Sequence, residues 1–250
     1  KKNLICFSSP FDDTSVDFLQ KLNVPAYKIA SFEINNIPLI EKIAKKRMPM
    51  VISTGLANLK EIHEVVKTAY KNGCKKIILL KCTSSYPAEP EDSNIVTIKD
   101  LISKFNCEVG ISDHTKGIGV SIAAISQGAT FIEKHFTLDR KKGGVDAEFS
   151  MEPDEMRQLV IESKRAWQSL GKIFYGSTKS EKNSIKFRKS IYVVKDINKN
   201  DKFTTENIKI IRPGFGLEPK YFNKIVGKSC NNNIKKGDPI KPSNIKNFKK

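Results

Sequence analysis

Two histidines are the residues whose type and placement best suit chemistry. His114 ends the run Gly110-Ile-Ser-Asp-His114, and His135 ends Ile132-Glu-Lys-His135, 21 residues further along a chain that holds three histidines in all. Each sits directly behind a short apolar run, Glu108–Ile111 and Ala129–Ile132, with one helix-sized segment between them. In a parallel α/β sheet the C-terminal ends of consecutive strands open on one face, so both imidazoles are expected to point into one pocket. Two imidazoles there suit a borderline divalent metal that keeps positions open for water and substrate. The alternative for each is a core histidine satisfied by hydrogen bonds. His63, on a helix among charged residues, reads as a solvated surface group.

Six strand-then-helix units must position them. The expected strands are Leu4–Ser8, Ala26–Ser31, Met50–Ser53, Lys76–Cys82 and the two runs that carry the histidines. Between them come helices from Thr14 to Leu22 on a Val16, Leu19, Leu22 stripe, then one around Pro38 with Leu39, Ile40 and Ile43. A third carries Ile62, Val65, Val66 and Ala69 and closes at Asn72-Gly73. A last helix from Pro153 to Leu170 has Met156, Val160 and Trp167 on one side. Short β-branched strands alternating with amphipathic helices argue for parallel βα units. The polar residues collect behind the strands: Ser9, then Lys28 with Ser31 and Glu33, Ser53, Thr83 to Tyr86, Ser112 to His114, and Glu133 with His135. Function at every strand's C-terminal end is the habit of a (β/α)8 barrel, whereas a doubly wound sheet confines it to one switch point. The chain is therefore read as α/β, a TIM barrel with strands 3–8 present. Two units are missing, most simply ahead of Lys1.

After Gly171 the character changes. Residues 1–171 read as the catalytic partial barrel, 172–187 as a polar linker, and 188–250 as a small β-rich module. In that module Asp196-Ile-Asn-Lys-Asn-Asp201 returns 37 residues later as Asn233-Ile-Lys-Lys-Gly-Asp238, with turns at Lys199-Asn200 and Lys236-Gly237.

Composition sets bounds on this reading. Lys and Arg total 44 against 27 acidic residues, for a net charge of +17, but only six are arginine and the lysines are spread through every segment. A nucleic-acid binder more often clusters arginine with aromatics on one face, so the charge is read as background that attracts anionic substrates. Five scattered cysteines without a CxxC fit a reducing cytoplasm. No apolar run approaches the ~18 residues of a membrane span.

Ser8-Ser-Pro-Phe-Asp, Pro25-Ala-Tyr-Lys-Ile-Ala-Ser-Phe-Glu33, Ile52-Ser-Thr-Gly55, Lys81-Cys-Thr-Ser-Ser-Tyr86-Pro, Ser112-Asp-His-Thr, Glu133-Lys-His-Phe, Gly144-Val-Asp146 and Ile211-Arg212-Pro-Gly resemble the motifs of the sialic acid synthase family. The resemblance covers essentially the whole chain, and within the family the tokens look most like the pseudaminic acid branch. It implies a TIM barrel followed by an antifreeze-like (SAF) domain, and a homodimer in which Arg212 of one subunit caps the other subunit's site. It implies a metal-assisted transferase that condenses phosphoenolpyruvate with an open-chain N-acylated amino sugar, for this branch a 2,4-diacetamido-2,4,6-trideoxy-altrose. The metal, Mn²⁺ or Mg²⁺, is held by His114 and His135.

Phosphoenolpyruvate has two anionic ends and needs ammonium and hydroxyl donors, which Lys28, Ser9, Ser31, Ser53 and Ser112 supply. A lysine turned inward at a strand end is costly without an anion. Glu33 and Tyr86 match sugar-contacting positions, and Asp146 matches an aspartate that meets metal-bound water or sugar. A planar guanidinium at Arg212 suits an acyl carbonyl better than an ammonium does.

Two departures stand out. The family's catalytic glutamate and a second phosphoenolpyruvate-binding lysine belong to strands ahead of Lys1, so this piece alone is expected to be insoluble or inactive. Ser84 stands where neuraminate synthases tend to carry an asparagine, which favours the pseudaminic reading. The remaining alternatives are a neuraminate or legionaminate synthase, or a non-catalytic carbohydrate-binding remnant.

Overall fold

The computed structural model describes residues 4–249 and divides the chain into two compact units, 1–172 and 173–250. In the first unit five parallel strands lie in sequential order: β1 (Tyr27–Ile29), β2 (Met50–Ser53), β3 (Ile77–Cys82), β4 (Glu108–Asp113) and β5 (Ile132–Lys134). Around them run α1 (Asp13–Lys21), α2 (Ile37–Ala44), α3 (Leu59–Lys71), α4 (Thr97–Phe105), α5 (Gly119–Ser126) and α6 (Pro153–Leu170). Sequential order with every neighbour parallel is the topology of a barrel wall, and the curled sheet forms a half-barrel.

The local chemistry explains the elements. Asp12 caps α1 by accepting from the Ser15 amide, and Asn58 with Glu61 forms a reciprocal capping box on α3. Pro38 sits in the first turn of α2, where a missing N–H costs nothing. Ile62, Val65, Val66 and Ala69 of α3 all face the core, and Gly73 leaves that helix at φ +104°. One hydrophobic cluster, built on Ile29, Ile40, Met50, Ile52, Leu79 and Ile111, joins strands to helices.

Several sequence expectations need correction. Leu4–Ser8 is not a strand. Only Ser8 pairs, with Tyr27, because Leu4 and Ile5 are 84% and 79% exposed and have nothing to pack against. Leu22 falls outside the buried stripe of α1, which ends at Lys21. The sixth run yields a strand at Ile132–Lys134 rather than Ala129–Ile132, so His135 follows its last residue directly. Gly110 permits this approach: a Cβ there would lie 2.2 Å from the Phe131 carbonyl oxygen. The helix of the fourth unit, whose bounds the pattern left open, is α4, behind the loop that starts at Ser84. On α6 only Leu159 is buried; Met156, Val160 and Trp167 line an open groove with Ile125 and Ile132 instead of a core.

The second unit contains β6 (Ser190–Val193) and β7 (Ile208–Ile211), paired antiparallel, and the short α7 (Phe222–Ile225). Its 37-residue repeat is a structural pseudo-symmetry. Ile197 and Ile234 exchange both backbone hydrogen bonds. The Lys199 amide donates to Asn233 Oδ1, and the equivalent Lys236 amide donates to Asp196 Oδ1. Asn200 and Gly237 occupy the same left-handed turn position, at φ +75° and +97°. Each repeat caps the other's turn.

Candidate active site

The strand alternation decides what faces the barrel interior. Ser112 and Glu133 are opposed across β4 and β5, and the residues two further on, His114 and His135, share their side. Together with Lys28 of β1 and Ser53 of β2 they line one cavity of about 510 Å³, within the range of small-molecule sites. Ser9, Ser31, Glu33, Tyr86 and Asp146 complete the wall. Ten of the eleven residues singled out from the sequence thus meet in one place. The eleventh, Arg212, is exposed in the second unit, in a loop fixed by Ser190, whose hydroxyl donates to the Pro213 carbonyl and accepts from the Gly216 amide.

One side of the cavity is cationic. Lys28 Nζ donates to Ser53 Oγ at 2.8 Å and to the Ile29 carbonyl at 3.1 Å, and lies 3.6 Å from Glu133 Oε2. Burial pushes its pKa down, against the pull of Glu133. An ammonium held dry in this way gains most from a second anion. The same cavity carries the imidazoles, with ring centroids 5.2 Å apart. His114 Nδ1 lies 2.8 Å from the Thr83 carbonyl, which can only accept, so the proton sits on Nδ1 and Nε2 is left as a lone-pair donor. His135 Nδ1 faces Asp146 Oδ2 at 3.5 Å in the same sense.

The two rings titrate apart. Burial and the neighbouring His114 lower the pKa of His135. Burial also presses on His114, but the Cys82 thiol and the Thr83 carbonyl outweigh it and raise its value. For Cys82 burial works upward, yet His114, Ser84 and Ser112 bring the thiol below its ordinary range.

These donors fit a divalent ion with an incomplete protein shell. His114 has Nδ1 anchored on the Thr83 carbonyl, an arrangement that orients metal ligands, while His135 Nδ1 lies 3.5 Å from the Asp146 carboxylate. No three His, Cys, Asp or Glu side chains converge as a closed site among the described residues, so water and substrate would fill the other positions.

Glu33 Oε2 is buried without a hydrogen-bond partner, an acceptor aimed at something still to arrive. Tyr86 lays its ring 4.2 Å from His114 and also meets Phe32. Ser84, singled out as a departure, donates to Ser31 Oγ at 2.7 Å, and Gly55 makes room: a Cβ there would lie 2.2 Å from Ser84 Oγ. His63 is on the surface as expected, bonded to the Leu59 carbonyl.

Glu133 joins the cavity beyond the residues expected from the sequence. It accepts from Ser112 Oγ at 3.0 Å, sits beside Lys28, and places a carboxylate inside the cavity. Its position two residues before His135 was the available signal, since a period of two puts both on one face. Cys82 and Phe11, also lining the cavity, carried no such signal.

A half-barrel whose strand ends gather a buried ammonium, hydroxyls, carboxylates and paired imidazoles defines a class: barrel enzymes that handle small anionic substrates. The chain belongs to the NeuB family, whose model matches residues 1–175, and residues 188–246 match the SAF domain. It is 38% identical to a pseudaminic acid synthase of Campylobacter jejuni over 98% of this chain and 71% of that protein. To an N,N'-diacetyllegionaminic acid synthase of the same species it is 39% identical, over 96% and 73%. Among solved structures, the spore coat polysaccharide biosynthesis protein SpsE of Bacillus subtilis superposes with a TM-score of 0.66 at 31% identity, covering 99% of this chain and 75% of that one.

Proposed function

We propose that the protein condenses phosphoenolpyruvate with 2,4-diacetamido-2,4,6-trideoxy-altrose and water, releasing phosphate and the nine-carbon 2-keto acid pseudaminic acid. The observation that carries this reading is one cavity that gathers buried Lys28, its neighbouring serines and the two imidazoles, with His114 anchored through Nδ1. Lys28, Ser9, Ser31, Ser53 and Ser112 hold the phosphate and carboxylate of phosphoenolpyruvate. His114 and His135 hold the divalent ion, Mn²⁺ or Mg²⁺. When bound, it polarises the sugar aldehyde, an effect worth several kcal/mol in comparable sites.

C3 of the enol then bonds to the aldehyde carbon, water adds at C2, and the C–O bond to phosphate breaks. The attacking water gives up one proton, the aldehyde oxygen gains one, and the remaining water-derived proton leaves with the phosphate as C2 becomes the keto carbon. Glu133, beside Lys28 on the phosphoenolpyruvate side, takes the first, and Asp146, beside His135, serves the sugar oxygen. Glu33 accepts from a sugar hydroxyl through its free Oε2, and Tyr86 packs against the sugar. Arg212 of a second subunit meets the N-acyl group in a cytoplasmic homodimer.

Legionaminate synthesis is the second reading, favoured by nearly equal identity to both kinds of synthase, 38% and 39%. Ser84, a short hydroxyl turned to Ser31, is what supports the pseudaminic over the neuraminate acceptor. Phosphate release from phosphoenolpyruvate, measured with the altrose-configured sugar, its legionaminate counterpart and N-acetylmannosamine in turn, tests the assignment. The altrose sugar is expected to be turned over fastest by at least tenfold; a faster rate with either other sugar reassigns the product.

A further inference from the structure

Behind the cavity lies an ion pair that none of the chemistry above uses. Asp113 and Lys134 are direct partners across β4 and β5, their side chains 0% and 1% exposed, with Lys134 Nζ 3.3 Å from Asp113 Oδ2. Period-two alternation turns them to the helical face, away from Ser112, His114, Glu133 and His135. Asp113 is fully occupied. Its Oδ1 accepts from the Thr115 amide and hydroxyl at 2.9 and 2.7 Å, and its Oδ2 also accepts from Ser121 Oγ of α5 at 2.6 Å. Lys134 Nζ donates in turn to the Thr115 carbonyl at 2.5 Å. His114 is thereby bracketed by two residues that Lys134 grips, and His135 is the residue after Lys134.

We propose that the buried Asp113–Lys134 pair is a positioning clamp that fixes the register of β5 against β4, and with it the separation and ring orientation of His114 and His135. The need for a clamp is physical. β5 is three residues long and only half-buried, so hydrophobic packing locates it weakly. A slip of one residue would turn Lys134 into the cavity and His135 out of it. It would also leave the Asp113 carboxylate buried without its cation, which is costly enough to exclude the slipped register. A buried pair adds little net stability over an apolar pair of similar volume, whereas register is a role such pairs are known to serve.

The proposal rests on the assignment of the histidines as metal holders, and the test separates the two. Free Mn²⁺ is measured by electron paramagnetic resonance during titration of the purified protein, without turnover, alongside thermal melting. The Asp113→Asn/Lys134→Met double variant is expected to stay folded and bind Mn²⁺ about 10–100-fold more weakly, the usual cost of disturbing groups that orient ligands. Phosphoenolpyruvate affinity, set by Lys28, Ser9, Ser31, Ser53 and Ser112, none of them on β5, is expected to hold within about threefold in that variant, and Lys134→Arg alone, which keeps a cation opposite Asp113, is expected to leave Mn²⁺ binding within about threefold of wild type. Mn²⁺ affinity unchanged in the folded double variant, or equal losses for Mn²⁺ and phosphoenolpyruvate, overturns the clamp. If the double variant does not fold, Ser121→Ala decides, since it removes one bond to Asp113. A Mn²⁺ affinity loss of about two- to fivefold supports the clamp, and no loss refutes it. Wild-type protein that binds no Mn²⁺ refutes the metal assignment instead.

Discussion

Replacing Lys28 by methionine is expected to weaken phosphoenolpyruvate binding sharply while leaving the fold in place. The ammonium is held by Ser53 Oγ, the Ile29 carbonyl and, at 3.6 Å, Glu133, in a side chain only 9% exposed. One charge-assisted hydrogen bond to the anion is worth about 1.5–3 kcal/mol. At about 1.4 kcal/mol per tenfold, that raises the phosphoenolpyruvate dissociation constant roughly 10- to 150-fold. Stability moves little, by about 1 kcal/mol, because methionine fills similar space and sheds a desolvated charge. Glu133, 36% exposed and still bonded to Ser112, is left in contact with water rather than stranded. Calorimetric titration with phosphoenolpyruvate, paired with thermal unfolding, reads both quantities.

The pH dependence has a definite sign. Burial lowers the Lys28 pKa from its ordinary 10.5, so the cation is lost, and affinity falls, at lower pH than for an exposed lysine. That loss is expected to disappear in Lys28→Met. Affinity within threefold of wild type, or a melting collapse that accounts for the binding loss, would refute the assignment of Lys28 as the anion holder.

Other perturbations reach different walls of the cavity. Glu33→Gln keeps the shape but removes the carboxylate whose Oε2 has no partner; KM for the sugar is expected to rise about tenfold, with melting temperature and phosphoenolpyruvate affinity unchanged. Gly55→Ala drives a methyl group into Ser84 Oγ and breaks its bond to Ser31, so unfolding is expected about 1–3 kcal/mol sooner by denaturant titration. EDTA, or His114→Ala, is expected to stop phosphate release, and activity indifferent to both would remove the metal from the mechanism.

Much of the site was legible because strand ends announce themselves. Ser53, Ser112 and the two histidines each lie at or just behind the end of a short apolar strand, Lys28 lies within one, and the parallel topology carries them to one cavity. The pseudo-symmetry of the second unit was equally plain, since Asp196 and Asn233 recur at equivalent positions and cap each other's turns. Less could be read where burial depends on distant partners. Leu4–Ser8 has strand composition but pairs only through Ser8, and the apolar side of α6 faces an open groove. Periodicity identifies an apolar face without saying what covers it. The role of Lys134 was hidden for a similar reason: a lysine between a glutamate and a histidine reads as solvated until its register opposite Asp113 is known.

The proposed condensation cleaves the C–O bond of phosphoenolpyruvate in this cavity. Phosphoenolpyruvate carrying ¹⁸O in the bridging position, incubated with the altrose-configured sugar, tests it most directly by mass spectrometry of both products. The expected result is one labelled phosphate for each nine-carbon keto acid, and no phosphate without sugar. Label retained in the organic product, or phosphate released in the absence of sugar, would contradict it.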